Sequence, residues 1–277
     1  MMIEKPQVSI VTVGMNHLTY LKDLLKSVFE THTPTLRFEF IYVDNCSSDG
    51  SVQFIKENYP QVILIENDTI RGFGENNNRG VTKASGKYIA ITNPDIVVLE
   101  KSIDKLFEFS EMNDEFGIVV PQLLNADFSI QYSVRVFMTI KILFWRLLTR
   151  GKDSTSNKVM NDYLLKNLDT NKIQSVDWAI GAFYFISLEN YKKLKGFDED
   201  YFLYLEDEDL CFRAWRNHLP VIYFPMSRMI HNHLRSSSKL SKTMYLHFKS
   251  MLLFFFKNGF FIKNNNRFEQ TKIKTPS

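Results

Sequence analysis

Cysteine is scarce: Cys46 and Cys211 are the only two in 277 residues. Two thiols cannot form a disulfide framework, so free thiols in a reducing, cytoplasmic compartment are expected. Long apolar runs are missing as well. No stretch reaches 18 apolar residues, which excludes a membrane-spanning helix on length alone. The first residues, MMIEKPQVSIVTVG, lack the basic start and apolar block of a secretory leader, and none is expected. A strong overall charge is absent too, the formal balance being +3. That modest value hides an asymmetry. From Lys239 to Ser277 there are eight Lys or Arg and one acid, Glu269. A basic segment rich in Phe is not by itself a nucleic-acid footprint, and no nucleic-acid partner is expected; it suggests an anionic surface instead.

What is present is a globular composition, 44% hydrophobic and 23% charged, long enough for one large domain or two small ones. The first hundred residues alternate between two periods. Short β-branched runs at Val8–Val13, Phe38–Asp44, Val62–Glu66 and Lys87–Thr92 read as strands. Between them lie helical patterns: Leu18 to Val28, a helix opening at Asp49-Gly50-Ser51, and one over roughly Glu75–Ser85. This alternation predicts an α/β fold, a mainly parallel central sheet with helices on both faces. Ligands in such sheets bind beyond the carboxyl ends of the strands. That rule selects Gly14-Met15-Asn16, Asp44-Asn45 and Asn93-Pro94-Asp95.

After Pro121 the pattern loosens. Phe137–Arg150 is an apolar, basic helix candidate, Gly151–Lys158 a polar loop, Phe183–Ser187 a strand, and Gly196-Phe197-Asp198 a turn. Leu240–Ile262 reads as a helix with Met244, Phe248, Met251, Leu252 and Phe255 on one face. The expected organisation is a domain over 1–238, with a nucleotide-binding half (1–121) and an acceptor and catalytic half (122–238), then a basic, Phe-rich extension over 239–277. The second half is expected to continue the sheet of the first.

Four segments carry chemistry. In DNCSSDGS, Asp44 follows a strand, where a carboxylate can accept from ribose hydroxyls or base N–H groups, while Asp49 reads as a helix cap. An EF-hand fails there for want of alternating acids. RGFGENNNRG, Arg71 to Gly80, offers close backbone approach and two arginines for phosphate; it is neither GxGxxG nor a P-loop, which disfavours hydride transfer. Asn93-Pro94-Asp95 turns the chain at a strand end and presents a carboxylate to a hard cation, although the tripeptide is also an ordinary turn. The fourth is YFLYLEDEDLCFRAW, where Glu206, Asp207, Glu208 and Asp209 sit between aromatic and apolar residues. Acids suit the first turn of a helix, yet four exceed that need. A partly buried carboxylate with like-charged neighbours becomes a better base. On a helix Glu206 and Asp209 share a face and Glu208 reads as surface. His231 and His233 follow downstream.

Taken in order, VSIVTVGMN, VDNCSSDGS, GFGENNNRG, NPDIVV, VDWAIGAFYFI and GFDEDYFLYLEDEDLCFR followed by His231 resemble the inverting nucleotide-sugar glycosyltransferases of family 2, in particular the bacterial rhamnosyltransferase-like branch. The resemblance runs over roughly residues 7 to 236. It implies a GT-A fold and transfer of a sugar, rhamnose from dTDP-rhamnose or else a UDP-hexose, onto a glycan or lipid-linked saccharide in cell-surface polysaccharide synthesis. It makes Asp207 the general base, with Glu206 and Asp209 as its setting. Thr12, Gly14, Asn16, Asp44, Asn45, Arg71, Gly72, Asn77, Asn78 and Asn93 become the nucleotide and donor residues, and Asp177 and Trp178 line the sugar or acceptor pocket. Asp95 and His231 would hold Mg²⁺ or Mn²⁺ on the diphosphate. Gly14-Met15-Asn16 stands where Thr-Tyr-Asn is more usual, and Asn93 leaves a single carboxylate in the metal motif. Two other readings stay open: a nucleotidyltransferase, which would want a basic loop after the first strand where GMNHLTY has no Lys or Arg, and a non-catalytic nucleotide-sugar-binding module. The C-terminal helix either packs on the domain or lies at the inner membrane face, its Phe side among lipid headgroups.

Overall fold

The computed structural model describes residues 4–149, 157–232, 242–260, 262 and 273–274. Most of the polar loop at Gly151–Lys158, His233 and much of the 239–277 extension therefore lie outside the described residues.

The apolar runs form parallel strands because both of their faces are covered. Along β1 (Val8–Gly14), Val8 and Ile10 enter one core and Val11 the other; along β4 (Tyr88–Thr92), Tyr88 and Ala90 oppose Ile89 and Ile91. A strand buried on both sides reads as a continuous hydrophobic run rather than an alternating one. With β2 (Phe38–Asp44) and β3 (Ile63–Glu66) these strands pair in parallel in the order β3-β2-β1-β4. Helices α1 (Leu18–Lys26, running on into a π-helical turn), α2 (Ser51–Asn58) and α3 (Phe73–Val81) make the crossovers.

Beyond β4 the chain adds β5 (Ile96–Val98), α4 (Ser102–Met112) and β6 (Ile118–Leu124). A small outlying sheet pairs β7 (Val134–Arg135) with β9 (Trp178–Ala179); between them come α5 (Ile140–Leu148), α6 (Lys158–Tyr163) and β8 (Gln174–Val176). Strand β10 (Phe183–Ser187) inserts antiparallel between β4 and β6. After α7 (Leu188–Lys193) and α8 (Glu206–Arg216), the long β11 (Val221–His231) runs parallel to β6. Its register slips between Phe224 and Arg228, and its last residues pair antiparallel with β5, His231 opposite Ile96. The main path of the sheet is thus β3-β2-β1-β4-β10-β6-β11-β5, and the second half of the chain continues the sheet of the first, as expected.

Strand β6 is absent from the sequence reading because Pro121 interrupts it. The proline is tolerated since β10 pairs with β6 only at Ile118 and Val119, so the residues beyond face one partner strand, β11. The C-terminal helix α9 spans Lys242–Asn258. Its inward face differs from the one expected. Met251, Phe254 and Phe255 are buried, whereas Phe248 and Leu252 are more than half exposed. The stretch MLLFFF is apolar on every side, so periodicity could not choose the face. Ser250 Oγ donates to Leu203 O (2.8 Å), Asn258 Nδ2 to Asp209 Oδ1 (3.2 Å), and Lys257 bridges Asp198 and Asp200, which clamps α9 over α8 and the loop before it.

Candidate active site

The carboxyl ends of β1, β2 and β4 form one edge. Gly14 lies opposite Asp44 and Thr12 opposite Thr92 in the parallel ladders. A Cβ on Gly14 would overlap the Tyr42 hydroxyl, so glycine is what lets this tyrosine pack beneath the edge. Asp44 Oδ2 accepts from Ser47 N (2.9 Å), while its buried Oδ1 and the buried Thr12 Oγ1 have no hydrogen-bond partner among the described residues. Unsatisfied buried acceptors are uncommon, and two at a strand edge invite a donor-rich ligand. Asn16, at φ +58°, accepts from Ser48 N through Oδ1 (2.8 Å) and donates its backbone N–H to Ser47 Oγ (3.0 Å), which ties the loops after β1 and β2 together. Asp49 accepts from Leu18 N (2.7 Å) and Ser51 N (3.1 Å) and so serves two helix starts, in keeping with its reading as a cap.

Several residues expected to touch the donor are engaged elsewhere. Asn45 gives its amide to Arg71 O and accepts from Asn67 Nδ2 and Arg71 N, pinning the loop after β3. Arg71 itself pairs with Glu75 (2.5 Å) and Asp68 (3.5 Å). A Cβ at Gly72 would come within 3.0 Å of Phe202 O, so this glycine permits close packing against the segment before α8. Asn77 is buried and donates to Phe73 O one turn back. Asn78 is turned toward the Gly196 corner: its amide donates to Phe197 O and Glu199, and its Oδ1 accepts from Tyr191 OH and Phe197 N. The donor role expected of Asn78 is corrected accordingly, because its hydrogen-bonding groups are consumed by the fold.

Asp95 and His231 do converge, and Asn93 lies two residues before Asp95 in the same turn. The antiparallel β5–β11 pairing carries His231 to Asp95, with Nε2 3.5 Å from Oδ2. Asn93 Oδ1 and Asp95 Oδ1 are buried without a partner among the described residues. Two oxygens and an imidazole are a donor set that suits Mg²⁺ or Mn²⁺. Among the described residues no cluster of three or more His, Cys, Asp or Glu could hold a metal alone, so an ion here would need oxygens from a ligand.

The four acids separate into distinct tasks. Helix α8 starts after Tyr204 and Leu205, both left-handed (φ +70° and +68°), and no side chain caps its first turn. Asp207 alone of the four reaches the surface; Glu206, Glu208 and Asp209 are buried. Asp207 Oδ2 accepts from Gly181 N (2.9 Å). Burial pushes its carboxyl above the ordinary range, against the opposing pull of the Gly181 and Glu208 N–H groups and of Arg135. Burial first, then the Asp207 charge, drives Glu206 well above its usual value. The expectation that Glu208 is surface is wrong: it is fully buried and accepts from Met138 N, which lies 70 residues earlier. Asp209, expected beside the base, instead bonds Arg213 (2.7 Å) and Asn258 on the α9 side.

Burial also moves the Glu208 carboxyl, up to about 8. The folded protein then holds a proton that the unfolded chain, near pKa ~4.3, releases. Stability contributed by this proton is complete below about pH 4 and is lost as pH rises toward 8. Glu208→Gln keeps the acceptor for Met138 N without the ionisation. In denaturant titrations from pH 5 to 8.5 the variant should show a flatter stability profile and a gain on the order of 2 kcal/mol over wild type at the alkaline end. Parallel profiles would refute this.

Two neighbouring residues join the halves of the site. Gly181 N donates to the Asp207 carboxylate, and Ala182 O accepts from Asn93 N (2.9 Å). One dipeptide therefore touches the carboxylate of α8 on one side and the Asn93-Pro94-Asp95 turn on the other. Sequence reasoning missed Gly181 because its contribution is a backbone N–H. Trp178, expected in a pocket wall, is buried, with Nε1 donating to Val136 O (2.8 Å); Asp177 accepts from Phe137 N (2.8 Å). Both support the segment that carries Arg135, whose guanidinium lies 5.4 Å from the Trp178 ring centre. Arg135 and Gln131, which contacts His231, had no sequence signal beyond residue type.

The chain is similar to known proteins in sequence and in fold. Residues 9–167 match the family model described as Glycosyl transferase family 2. The chain is 27% identical over 254 residues to Rhamnosyltransferase WbbL of Escherichia coli (strain K12), covering 88% of this chain and 90% of that protein. It is 24% identical over 226 residues to the N-acetylglucosaminyl-diphospho-decaprenol L-rhamnosyltransferase of Mycobacterium tuberculosis (strain ATCC 25618 / H37Rv), covering 77% and 73%. Among solved structures it is similar in fold to S. aureus TarS 1-349 (TM-score 0.57, 14% identity, 82% of this chain and 60% of that one). Mannosyltransferase PcManGT from Pyrobaculum calidifontis, in complex with GDP-Man and Mn²⁺, is similar too (TM-score 0.57, 16% identity, 85% and 59%). The chain spans about three fifths of the length of those two structures. Its sheet order, its matched family model and its relatives place it together: the chain is a GT-A protein and belongs to glycosyl transferase family 2, in the rhamnosyltransferase-like branch.

Proposed function

We propose that this glycosyltransferase moves a sugar from a nucleoside diphosphate to a saccharide hydroxyl with inversion, Asp207 acting as the base. One observation carries the reading: the partly exposed, up-shifted Asp207 and the Asn93–Asp95–His231 group flank the same Gly181–Ala182 dipeptide. Inversion needs one carboxylate to take the proton of the attacking hydroxyl on the face opposite the leaving group. A glycoside hydrolase would normally need a pair. Asp44 Oδ1 accepts from the nucleoside, and Thr12 and Gly14 shape the floor beneath it. Asp95, His231 and Asn93 Oδ1 would hold Mg²⁺ or Mn²⁺, which when bound supplies Lewis-acid stabilisation of the departing diphosphate. The relatives' names favour a rhamnosyl donor; the resemblance of the sequence motifs puts dTDP-rhamnose first and a UDP-hexose second. Residues 1–121 serve the nucleotide, residues 122–238 the acceptor, and 239–277 form an extension whose α9 braces α8.

For the acceptor we favour a lipid-linked saccharide. The guanidinium carbons of the half-buried Arg135 and Arg146 each lie 5.5 Å from the ring centre of the buried Tyr163, and Arg135 acts electrostatically on Asp207, so cations stand near the base where an anionic acceptor would approach. The name of the mycobacterial relative specifies a diphospho-decaprenol acceptor. On α5, Ile140, Phe144 and Leu148 form an exposed stripe; on α9, Tyr245, Phe248, Leu252 and Phe256 form another. Among the described residues no helix is long and apolar enough to cross a membrane. These stripes, with Lys141 and Lys249 exposed beside them, suit peripheral contact with an anionic leaflet. Cutting the chain at Ser238 would strip Phe254 and Phe255 from the core, so point changes are the sounder probe. Phe144→Ser with Phe256→Ser should abolish flotation with phosphatidylglycerol vesicles while leaving Tm unchanged; wild type that fails to float sinks the membrane reading.

The function itself is tested by thermal stabilisation with UDP-, dTDP- and GDP-sugars, with and without Mn²⁺, followed by acceptor-dependent release of nucleoside diphosphate. One nucleotide should stabilise by roughly 2–3 kcal/mol near 100 times its Kd. Stabilisation without turnover of any acceptor would favour a binding module, and no response to any nucleotide would overturn the reading.

A further inference from the structure

His231 does not end the polar network at the Asp95 turn; it begins one. Its Nδ1 lies 2.6 Å from Gln131 Oε1. Gln131 Nε2 donates to Asn125 Oδ1 (3.1 Å), Asn125 Nδ2 donates to Ser129 Oγ (2.9 Å), and Ser129 Oγ donates to Asp127 Oδ1 (2.5 Å). All four residues belong to the turn that follows β6, which is itself ordered by Asn125 N to Ser129 O (2.8 Å) and Ser129 N to Asp127 Oδ1 (3.0 Å).

This chain has a direction, and its exposed end sets it. The hydrogen bond from Ser129 holds the Asp127 carboxyl below the usual carboxylate range, so at neutral pH it can only accept. The single Ser129 hydroxyl proton is therefore committed to Asp127, and Ser129 can meet Asn125 only as an acceptor. Asn125 must then present its N–H₂ to Ser129 and its carbonyl to Gln131. Gln131 in turn must present N–H₂ to Asn125 and its carbonyl to His231. A carbonyl facing Nδ1 requires a proton on Nδ1. In the neutral ring that leaves the lone pair on Nε2, the nitrogen 3.5 Å from Asp95 Oδ2. Two acceptors 3.5 Å apart repel unless a second ring proton or a metal cation lies between them.

We infer that Gln131, oriented by the Asp127–Ser129–Asn125 relay, is a positioning residue that fixes the Nδ1–H tautomer of His231 and so aims Nε2 at the cation shared with Asp95. The inference rests on the metal reading proposed above, but the tautomer is measurable without any metal. Partners of this kind orient the ring and raise its basicity as a ligand, and their loss typically costs about 10–100-fold in metal affinity.

The experiment uses the full chain labelled with ¹⁵N-histidine. Long-range ¹H–¹⁵N spectra of the metal-free protein at pH 8 report which ring nitrogen of His231 carries the proton. Mn²⁺ alone is then titrated and followed by paramagnetic broadening of the His231 ring signals. Wild type should show protonated Nδ1 and bare Nε2. Gln131→Leu should show a mixture of tautomers and need about 10–100-fold more Mn²⁺ for the same broadening. Gln131→Glu, whose carboxylate can only accept, should keep the Nδ1–H form. An Nε2–H tautomer in wild type overturns the relay, even if no variant folds. Equal Mn²⁺ response in wild type and Gln131→Leu overturns the positioning role. Failure of Mn²⁺ to broaden His231 in wild type, with the tautomer as expected, strikes the metal reading and removes the purpose assigned to the relay.

Discussion

Asp207→Asn should lower kcat for sugar transfer by about 10³-fold or more, within the range that a positioned general base contributes. Donor affinity should stay within twofold, because Asp207 touches Gly181 N and Glu208 N rather than the nucleotide edge at Asp44. The amide carbonyl can still accept from Gly181 N, so α8 keeps its place. Tm should hold or rise, since the substitution removes one of two adjacent carboxyls that both titrate above their ordinary range. The same upward shift gives wild-type kcat/KM an acid limb: activity grows with pH as Asp207 loses its proton, at a pH above that of an ordinary aspartate. Asp209→Asn is the matched control. Its partners are Arg213 and Asn258, so it should cost stability while leaving kcat within a few fold. If Asp207→Asn retains more than a tenth of wild-type kcat, the base lies elsewhere.

Asp95→Ala has the second large effect. It removes the one carboxylate in the Asn93–Asp95–His231 group, and Asn93 Oδ1 with a single imidazole is a poor site for a hard cation. The Mn²⁺-dependent part of donor stabilisation should disappear in thermal shift measurements. Transfer should fall by about 10²–10³-fold, as when one preorganised stabiliser of leaving-group charge is lost. Metal-independent nucleotide binding through Asp44 should persist, which separates this variant from one that misfolds. A mutant that still responds to Mn²⁺ like wild type would place the ion away from Asp95.

The two effects rest on parts of the chain that differ in how openly the sequence declares them. Phe38–Asp44 was readable to the residue, because a buried parallel strand is a run of β-branched and aromatic side chains bounded by turn formers. The strand-end rule then brought Asp44 and Asp95 into view with no knowledge of side-chain geometry. Residues whose work is done by the backbone, or by pairing across a hundred positions, leave no such trace. Gly181 acts through an N–H, and Gln131 meets His231 only because β11 slips register between Phe224 and Arg228 before it reaches β5. Asn78 shows the converse. Its composition suggested ligand contact, but Tyr191, Phe197 and Glu199 satisfy it from positions over a hundred residues away. Likewise, a cluster of acids on a helix start is legible as unusual, whereas the burial that assigns Glu208 to Met138 N and leaves Asp207 at the surface is a property of packing.

The Gly181–Ala182 dipeptide has a further consequence for how such a protein can change over time. Its hydrogen bonds to the Asp207 carboxylate and to Asn93 N use its own main-chain atoms, so replacing side chains on the surrounding loops need not alter its span. Under the proposed function, loops that would meet the donor or the acceptor can change while that main-chain spacer stays the same. On the function proposed above, substrate range would then be free to diversify while the base and the Asn93-Pro94-Asp95 turn keep their separation.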